Sequence, residues 1–206
     1  RKPLPLRRKD PDVTYSHLYQ RGNLSAEPVD LETVGGFLAL SLGLSAWKAA
    51  GGSKWALRMN PSSGNLHPTE AHLLLPETPD TKAGIFHYSP LLHALEQRAV
   101  VPGALWEKIR HIFGATGFFI ALTSIFWRES WKYGERAFRY CNHDVGHALA
   151  ALAFSGSLQG WKVRYLAEPG DEAVSALLGL DRTHWPAIEE EHPELLCWVT
   201  ADNRGN

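Results

Sequence analysis

A short polar turn at residues 58–68, RMNPSSGNLHP, is the first segment whose residue types suit a ligand. Pro61 fixes one φ angle, and Gly64 permits backbone conformations that other residues resist. Hydroxyl and amide groups beside exposed backbone N–H groups come from Ser62, Ser63 and Asn65. Such a turn can lie against the edge of a heteroaromatic ring or hold an anion, and the alternative is a surface turn capped by serine. The spacing matches neither a Walker phosphate loop nor the G-x-G-x-x-G dinucleotide turn, which argues against both of those folds.

The second segment rich in chemical groups is residues 126–147, FWRESWKYGERAFRYCNHDVGH. Its cations are Arg128, Lys132, Arg136 and Arg139. Arginine forks match phosphate oxygens, and a lysine beside a tyrosine, as in Lys132-Tyr133, can hold or move protons. The alternative is a solvated helical face on which Glu129 and Glu135 pair locally.

Two histidines in this segment raise the question of a metal. His143 and His147 are four residues apart, which places both imidazoles on one helical face and suits zinc. The intervening Asp-Val-Gly differs from the Glu-x-x of a zinc-protease helix, and no third ligand is evident, so a zinc hydrolase is the weakest interpretation and no metal is predicted. Cys141 falls on the apolar face, which argues against a nucleophilic role. The sequence has no G-x-S-x-G elbow to support Ser-His-Asp catalysis.

A long helix at residues 134–158 is predicted to position the second segment. Its apolar side carries Phe138, Cys141, Val145, Leu149 and Leu152. Its polar side carries Arg136, Arg139, His143 and His147. The polar stripe stops after Ala148, which predicts that the second half is apolar all round and buried in a core or a subunit interface.

Shorter patterns predict the other elements. Helices are predicted at residues 30–47, 91–99, 102–113 and 171–178. Strands are predicted at residues 70–75, 84–89, 117–124, 161–166 and 195–200. The run GFFIALTS at residues 117–124 is continuously apolar between turn signals, which indicates a central strand buried on both faces.

The length and composition favour one globular domain. We predict an N-terminal arm at residues 1–29 and a single domain at residues 30–206. A net charge of −1 indicates no general attraction to nucleic acid or to a membrane surface. No apolar run reaches the roughly 18 residues of a membrane span. The two cysteines cannot form a disulfide scaffold, which favours a reducing, cytoplasmic location.

Three stretches together resemble nitroreductase-like flavoproteins, and most closely their SagB-type dehydrogenase branch. They are RMNPSSGNLHPTEAHLL, GIFHYSPLLHALEQR and FWRESWKYGERAFRYCNHDVGHALAAL. The resemblance implies an α+β fold with a mixed, mainly antiparallel sheet flanked by helices and a long central helix at a dimer interface. It implies FMN at that interface and hydride transfer through the flavin N5. It also implies either NAD(P)H-driven reduction of nitro compounds and quinones or oxidation of peptide azolines to azoles.

The resemblance also implies roles for individual residues. FMN would be contacted by Arg58, Pro61, Ser62, Ser63, Gly64 and Asn65. Arg136 or Arg139 would neutralise its phosphate, and Lys132 and Tyr133 would remove a ring proton from the substrate while hydride leaves to the flavin. The implied partners are a second copy of the chain in a homodimer or a second nitroreductase-like domain, with a small-molecule or peptide substrate.

One departure from the family bears on the cofactor. Members commonly begin with an Arg-Ser-x-Arg run that holds the flavin phosphate, whereas this region reads YQRGNLSAEP, in which Arg21 is a remnant. Phosphate binding would then fall to Arg58, Arg128 or the partner chain. The alternative function is a flavin-free relative that keeps the fold and acts as a structural or regulatory partner.

Overall fold

The computed structural model describes residues 1–6, 13–19, 24–113, 116–186 and 188–201, so Arg21 lies outside the described residues. The helices are α1 (Leu31–Ser41), α2 (Gly103–Phe113), α3 (Trp127–Tyr133), α4 (Ala137–Leu158) and α5 (Asp171–Leu178). The strands are β1 (Lys2–Pro3), β2 (Leu44–Ala50), β3 (Ser53–Arg58), β4 (Thr69–Leu75), β5 (Gly84–Ser89), β6 (Ala94–Val100), β7 (Gly117–Ser124), β8 (Lys162–Leu166) and β9 (His192–Thr200). Short 3-10 turns occupy Tyr15–Tyr19, Ser63–Asn65, Gly134–Arg136 and Leu180–Arg182.

A seven-stranded sheet in the order β1-β6-β5-β4-β7-β9-β8 forms the middle of the fold. Each neighbouring pair in it is antiparallel. β7 lies between β4 and β9, and all eight of its residues are buried. These observations confirm the α+β class with a mainly antiparallel sheet and the central strand predicted at residues 117–124.

Apolar side chains on the two faces of the sheet form two cores. On one face, α1 and α4 contribute Phe37 and Leu152, both 0% exposed. On the other face, α2 and α5 contribute Trp106 and Val174. Helices therefore cover the sheet on both sides, because each face is lined by apolar residues that must be removed from water.

The predicted helix at residues 30–47 begins as expected and ends early. The Asp30 carboxylate accepts the Thr33 N–H at 2.9 Å, and the Asp30 N–H donates to Thr33 Oγ1 at 3.1 Å. This reciprocal capping box fixes the start of α1. The helix ends at Ser41, however, so the second part of the prediction was wrong.

The residues after α1 form a β-hairpin instead of continuing the helix. β2 pairs antiparallel with β3 across a turn at Gly51 and Gly52, whose φ angles are 55° and 82°. Two consecutive glycines with positive φ favour a tight hairpin turn. The pairing overrides the helix propensity of the alanines in the segment LSAWKAA.

The helix predicted at residues 91–99 is also wrong, because this segment is largely strand β6. A tight turn precedes it, in which the His93 N–H donates to the Pro90 carbonyl and His93 has a φ of 43°. β6 then pairs with β5 on one side and with β1 on the other. Leu95 is 0% exposed on this strand, so burial in the sheet decides the conformation.

The long helix α4 keeps most of its predicted two-sided character. Cys141, Val145 and Leu152 are buried, as the apolar face predicts. Phe138 was assigned to that face and is 67% exposed, and Phe154 in the second half is 45% exposed in the single chain. The second half is therefore not buried all round by this chain's own residues. Within the described residues, no helix is long and apolar enough to cross a bilayer.

Candidate active site

The turn at Ser63–Asn65 connects the β2–β3 hairpin to β4 and has an unusual backbone. Gly64 has a φ of 62°, Asn65 of 59° and His67 of 52°. The local sequence braces this conformation: the Ser62 hydroxyl accepts the His67 N–H at 2.8 Å, and the Asn65 amide donates to the Ala56 carbonyl at 2.9 Å. Side-chain hydrogen bonds to the backbone thus hold a shape that the φ angles alone disfavour.

Asp144 on α4 anchors the same turn through hydrogen bonds to Ser63. Its Oδ1 accepts the Ser63 N–H at 3.0 Å and the Ser63 hydroxyl at 3.3 Å, and Asp144 is 0% exposed. The sequence prediction missed this residue. A signal existed, since Asp144 lies between Cys141 and Ala148 on the apolar face of the predicted helix, where a carboxylate needs a partner.

Gly64 brings the predicted proton-handling pair to the turn. A Cβ atom at Gly64 would lie 2.5 Å from the Tyr133 Oη and 2.8 Å from the Lys132 Nζ. Both groups come from the last turn of α3, whose C-terminus is followed by Gly134 with a φ of 57°. The Lys132 Nζ lies 5.2 Å from the centroid of the Tyr133 ring, and the ring packs edge-on against Tyr140 at 4.7 Å. The absence of a side chain at Gly64 is therefore what lets the amine and the phenol approach the turn.

Arg58 and Arg128 contact the backbone that follows the turn. The Arg58 Nη1 donates to the Thr69 carbonyl at 3.2 Å, and the Arg128 Nη1 donates to the His67 carbonyl at 3.0 Å and to Glu70. Burial lowers the pKa of Arg58, and the neighbouring Arg128 adds to this, while Glu70 acts in the opposite direction. A guanidinium nevertheless stays charged in a protein, so both are fixed cations beside the turn.

His67 contributes a buried acceptor at the same place. Its Nε2 lies 2.8 Å from the Asn65 Oδ1, which can only accept, so Nε2 carries the hydrogen and Nδ1 a lone pair. Among the described residues, this Nδ1 is buried and has no hydrogen-bond partner. Burial, followed by the charges of Arg58 and Arg128, lowers the pKa of His67 to about 4, so the ring is neutral at pH 7.

A network of charged residues on β4, β5 and β6, which the sequence did not predict, is joined to the turn through Arg128. Glu70 bonds to Arg128 and to the His87 Nε2, the latter at 2.7 Å, and His87 contacts Glu96 at 3.4 Å. Burial alone would raise the pKa of Glu70, but His87 and Arg128 outweigh it and lower the pKa to about 2. Strand pairing brings these groups together from distant parts of the chain, which no local sequence pattern reveals.

This network predicts a pH-dependent contribution to stability. The Glu70 pKa falls from 4.5 to about 2 on folding, so its stabilisation is present above pH 4.5 and is lost as the pH falls towards 2. At 1.36 kcal/mol per pKa unit, Glu70→Gln should lower the free energy of unfolding at pH 7 by roughly 3 kcal/mol and have little effect near pH 2. Urea denaturation at several pH values measures this. Glu107→Gln, which removes an exposed partner of Arg110, is the control and should show a much smaller pH-dependent difference.

The remaining predicted residues lie further out. Arg136, in the 3-10 turn before α4, and Arg139, in its first turn, are exposed, and within the described residues no hydrogen bond joins either to Ser63–Asn65. Cys141 is 0% exposed, and burial, followed by Glu129, Glu194 and Asp144, raises its pKa to about 12. No group of three or more potential metal ligands occurs in the part of the chain that the structure describes.

The antiparallel sheet with helices on both faces, and a Ser-Gly-Asn turn held against its long helix, define an α+β protein of the nitroreductase fold. A sequence profile described as the Nitroreductase family matches residues 20–188. Since this match covers most of the chain, the chain belongs to the nitroreductase family, which at family level is one of flavin-type oxidoreductases. Among curated protein sequences, none matches this one.

Solved structures show the same fold. A protein from Anabaena variabilis assigned as a nitroreductase is 25% identical, with a TM-score of 0.68 over 81% of this chain, and the chain spans 34% of that protein's length. One from Ralstonia eutropha, likewise assigned, is 16% identical, with a TM-score of 0.69 over 97% of this chain and 88% of that one. The Escherichia coli microcin synthetase McbBCD complex, with truncated pro-MccB17 bound, contains a chain that is 23% identical, with a TM-score of 0.64 over 92% of this chain and 73% of that one. The likeness to these last two shows the fold alone.

Proposed function

We propose that this chain is an FMN-dependent oxidoreductase of the SagB type, in which Lys132 and Tyr133 handle the proton of the reaction. The observation that carries the proposal is the convergence of the Lys132 Nζ and the Tyr133 Oη on Gly64, the glycine of the turn assigned to the cofactor. Dehydrogenation removes a proton and a hydride from adjacent atoms. A base beside the cofactor-binding turn would meet the first requirement.

The residues of the turn fit a flavin. The buried His67 Nδ1 is an acceptor without a partner among the described residues, and Arg58 is a fixed cation nearby. FMN would be held by Arg58, Pro61, Ser62, Ser63, Gly64 and Asn65, with Arg136 or Arg139 at its phosphate. When bound, FMN supplies the two-electron redox chemistry that side chains lack.

The chain's own residues would bind the substrate and move the proton. Lys132 is exposed and Tyr133 is half-buried, so a substrate can reach both from solvent. In azoline oxidation, the Lys132 amine would take the proton from the ring carbon, and the Tyr133 hydroxyl would orient the substrate beside it. In the reduction of a nitro or quinone acceptor, the same pair would supply a proton instead.

The choice between these substrates rests on the branch of the family. The Lys132-Tyr133 pair favours the SagB-type branch and hence a peptide azoline, and the fold shared with a chain of a microcin synthetase complex is compatible with that branch. We expect the flavin-loaded protein to remove two hydrogen atoms from a thiazoline-containing peptide, detected by mass spectrometry. Faster NAD(P)H oxidation with a quinone, and no change in the peptide, would favour the generic reductase instead.

The proposed assembly is a cytoplasmic homodimer with FMN between the subunits. Phe138 and Phe154 are exposed on α4 in the single chain, and a subunit interface would cover them. The free, buried Cys141 and Cys197 suit a reducing compartment. Because the chain spans about a third of the Anabaena variabilis protein, a second nitroreductase-like domain is the alternative partner. Sedimentation equilibrium distinguishes a dimer from a monomer.

The visible absorption spectrum of the purified protein is the first test of the proposal. Oxidised flavin bands, together with FMN identified in the extract released by denaturation, are the expected result. A colourless protein that also fails to bind added FMN would instead favour the alternative function, a flavin-free relative that acts as a structural or regulatory partner. That alternative is motivated by the incomplete N-terminal arginine run around Arg21.

Arg58 provides a residue-level test of cofactor binding. Arg58→Ala should weaken FMN binding by about 10- to 100-fold, because a hydrogen bond to a charged group contributes about 1.5–3 kcal/mol. Fluorescence titration of the apoprotein with FMN measures the affinity, and Arg98→Ala removes an exposed arginine on β6 as a control. Equal affinities for Arg58→Ala and the wild type would remove Arg58 from the cofactor site.

A further inference from the structure

Glu129 is a buried carboxyl group on α3, the helix that carries Lys132 and Tyr133. It is 0% exposed, and among the described residues neither of its carboxyl oxygens has a hydrogen-bond partner. Burying an unpaired carboxyl group reduces stability, whereas an apolar side chain of the same size would fill the space at lower cost. A structural role therefore gives no reason for a glutamate here, and a role in proton chemistry does.

The position of Glu129 connects it to the Lys132-Tyr133 pair. It lies in α3, three residues before Lys132 and four before Tyr133, spacings that place side chains on the same side of a helix. Asp144 acts electrostatically on Glu129 and also anchors Ser63 of the turn. Glu129 is therefore coupled electrostatically both to Lys132 on its own helix and to Asp144, the residue that anchors the turn.

The charged and titratable groups around Glu129 favour a proton on it near neutral pH. Burial raises the pKa of Glu129 to about 7, Asp144 on α4 adds to this rise, and Lys132 opposes it. Cys141 on α4 also feels the charge of Glu129, but its own pKa is raised to about 12, so it stays neutral. A group that gains and loses a proton near pH 7 is suited to exchange protons with a catalytic pair.

We propose that Glu129 is the positioning residue that stores the proton handled by Lys132 and Tyr133. The inference rests on the proposed function, in which Lys132 takes a proton from the substrate. Both groups lie in the described part of the chain, and no hydrogen bond joins them in the resting protein, so the Lys132 side chain first moves to Glu129. Its N–H bond then breaks, an O–H bond forms at a Glu129 carboxyl oxygen, and the amine becomes neutral again. Only the proton moves to Glu129: the electron pair of the broken C–H bond forms the new ring double bond, and the hydride from the adjacent atom would carry two electrons to FMN. In the reductive direction, Glu129 returns the proton to the pair.

Infrared spectroscopy tests the storage role without substrate or cofactor. In the flavin-free full chain, the C=O stretch of a protonated carboxyl should disappear as the pH is raised. The midpoint pH of this loss should lie well above the usual pKa range of carboxyl groups. This band should be absent in Glu129→Gln and kept in Glu135→Gln, which alters an exposed glutamate in the turn after α3. Lys132→Met should move the midpoint to higher pH, since the charge of Lys132 acts on Glu129, whereas Lys108→Met on α2 should not. The inference is overturned if the band titrates in the ordinary carboxyl range, or if its midpoint pH is the same in Lys132→Met as in the wild type.

Kinetic measurements then distinguish a proton-storing role of Glu129 from a purely structural one. With bound FMN and a quinone as the acceptor, Glu129→Gln should lose the near-neutral transition in the pH–rate profile and turn over about 10-fold more slowly, less than the ~10²–10⁴-fold effect of a direct acid or base. FMN occupancy should match that of Glu135→Gln. An unchanged pH profile in a variant that still binds FMN contradicts the inference while leaving the proposed function intact. A wild-type protein that rejects FMN contradicts the proposed function, and the infrared titration then still decides whether Glu129 exchanges protons with Lys132.

Discussion

Lys132→Ala should reduce turnover of the FMN-loaded protein by about 10²–10⁴-fold while leaving FMN bound, because it removes the proposed base but none of the residues of the turn. Tyr133→Phe should cost less, since it keeps the ring that packs against Tyr140 and removes only the hydroxyl. Turnover with a thiazoline-containing peptide and with a quinone plus NAD(P)H measures the loss, and the flavin absorbance after gel filtration measures occupancy.

Lys108→Ala is the matched control for this variant. Lys108 is an exposed lysine on α2, a helix on the other face of the sheet from α4, so its loss should change neither turnover nor FMN occupancy. If Lys132→Ala loses FMN in proportion to activity, its role is to hold the cofactor. Full activity in Lys132→Ala would remove the base from the proposed mechanism.

Local patterns predicted the elements whose own residues decide their conformation. The continuous apolar run of β7 and the Asp171–Leu178 helix, which ends at Gly179 with a φ of 76°, follow directly from the sequence. The segments that became β2 and β6 contain helix-forming residues, and pairing with β3 and β5 overrides that preference. The Gly51-Gly52 turn between β2 and β3 is a local hairpin signal that the helix prediction did not take into account.

Some residues of the candidate site could likewise be proposed from local sequence, whereas others could not. The turn and the Lys132-Tyr133 pair are each a short run of sequence, and the roles proposed for them rest on residue types and on the family resemblance. Asp144 and Glu129 act through burial and through neighbours on other elements, so their roles emerge only when α3, α4 and the turn are packed together. The residues that are hardest to predict are therefore those that hold or tune the chemical groups.

Gly64→Ala tests whether the approach of Lys132 and Tyr133 to the turn matters for function. The new Cβ would meet the Tyr133 Oη at 2.5 Å and the Lys132 Nζ at 2.8 Å. Both atoms are the ends of flexible side chains, so the protein should fold and relieve the clash by moving them away. A displacement of about 1 Å at a reacting group can cost 10²-fold, so turnover should fall by about that factor.

Gly51→Ala separates this effect from backbone strain. Gly51 has a φ of 55°, close to the 62° of Gly64, but a Cβ at Gly51 would meet nothing within 4 Å. Each variant should lose about 1–2 kcal/mol of stability, because a left-handed backbone disfavours a side chain, yet only Gly64→Ala should lose activity. In the Lys132→Ala background, Gly64→Ala should cause little further loss, since the two changes remove the same interaction. An equal effect of Gly64→Ala in both backgrounds would mean that the turn acts independently of the pair.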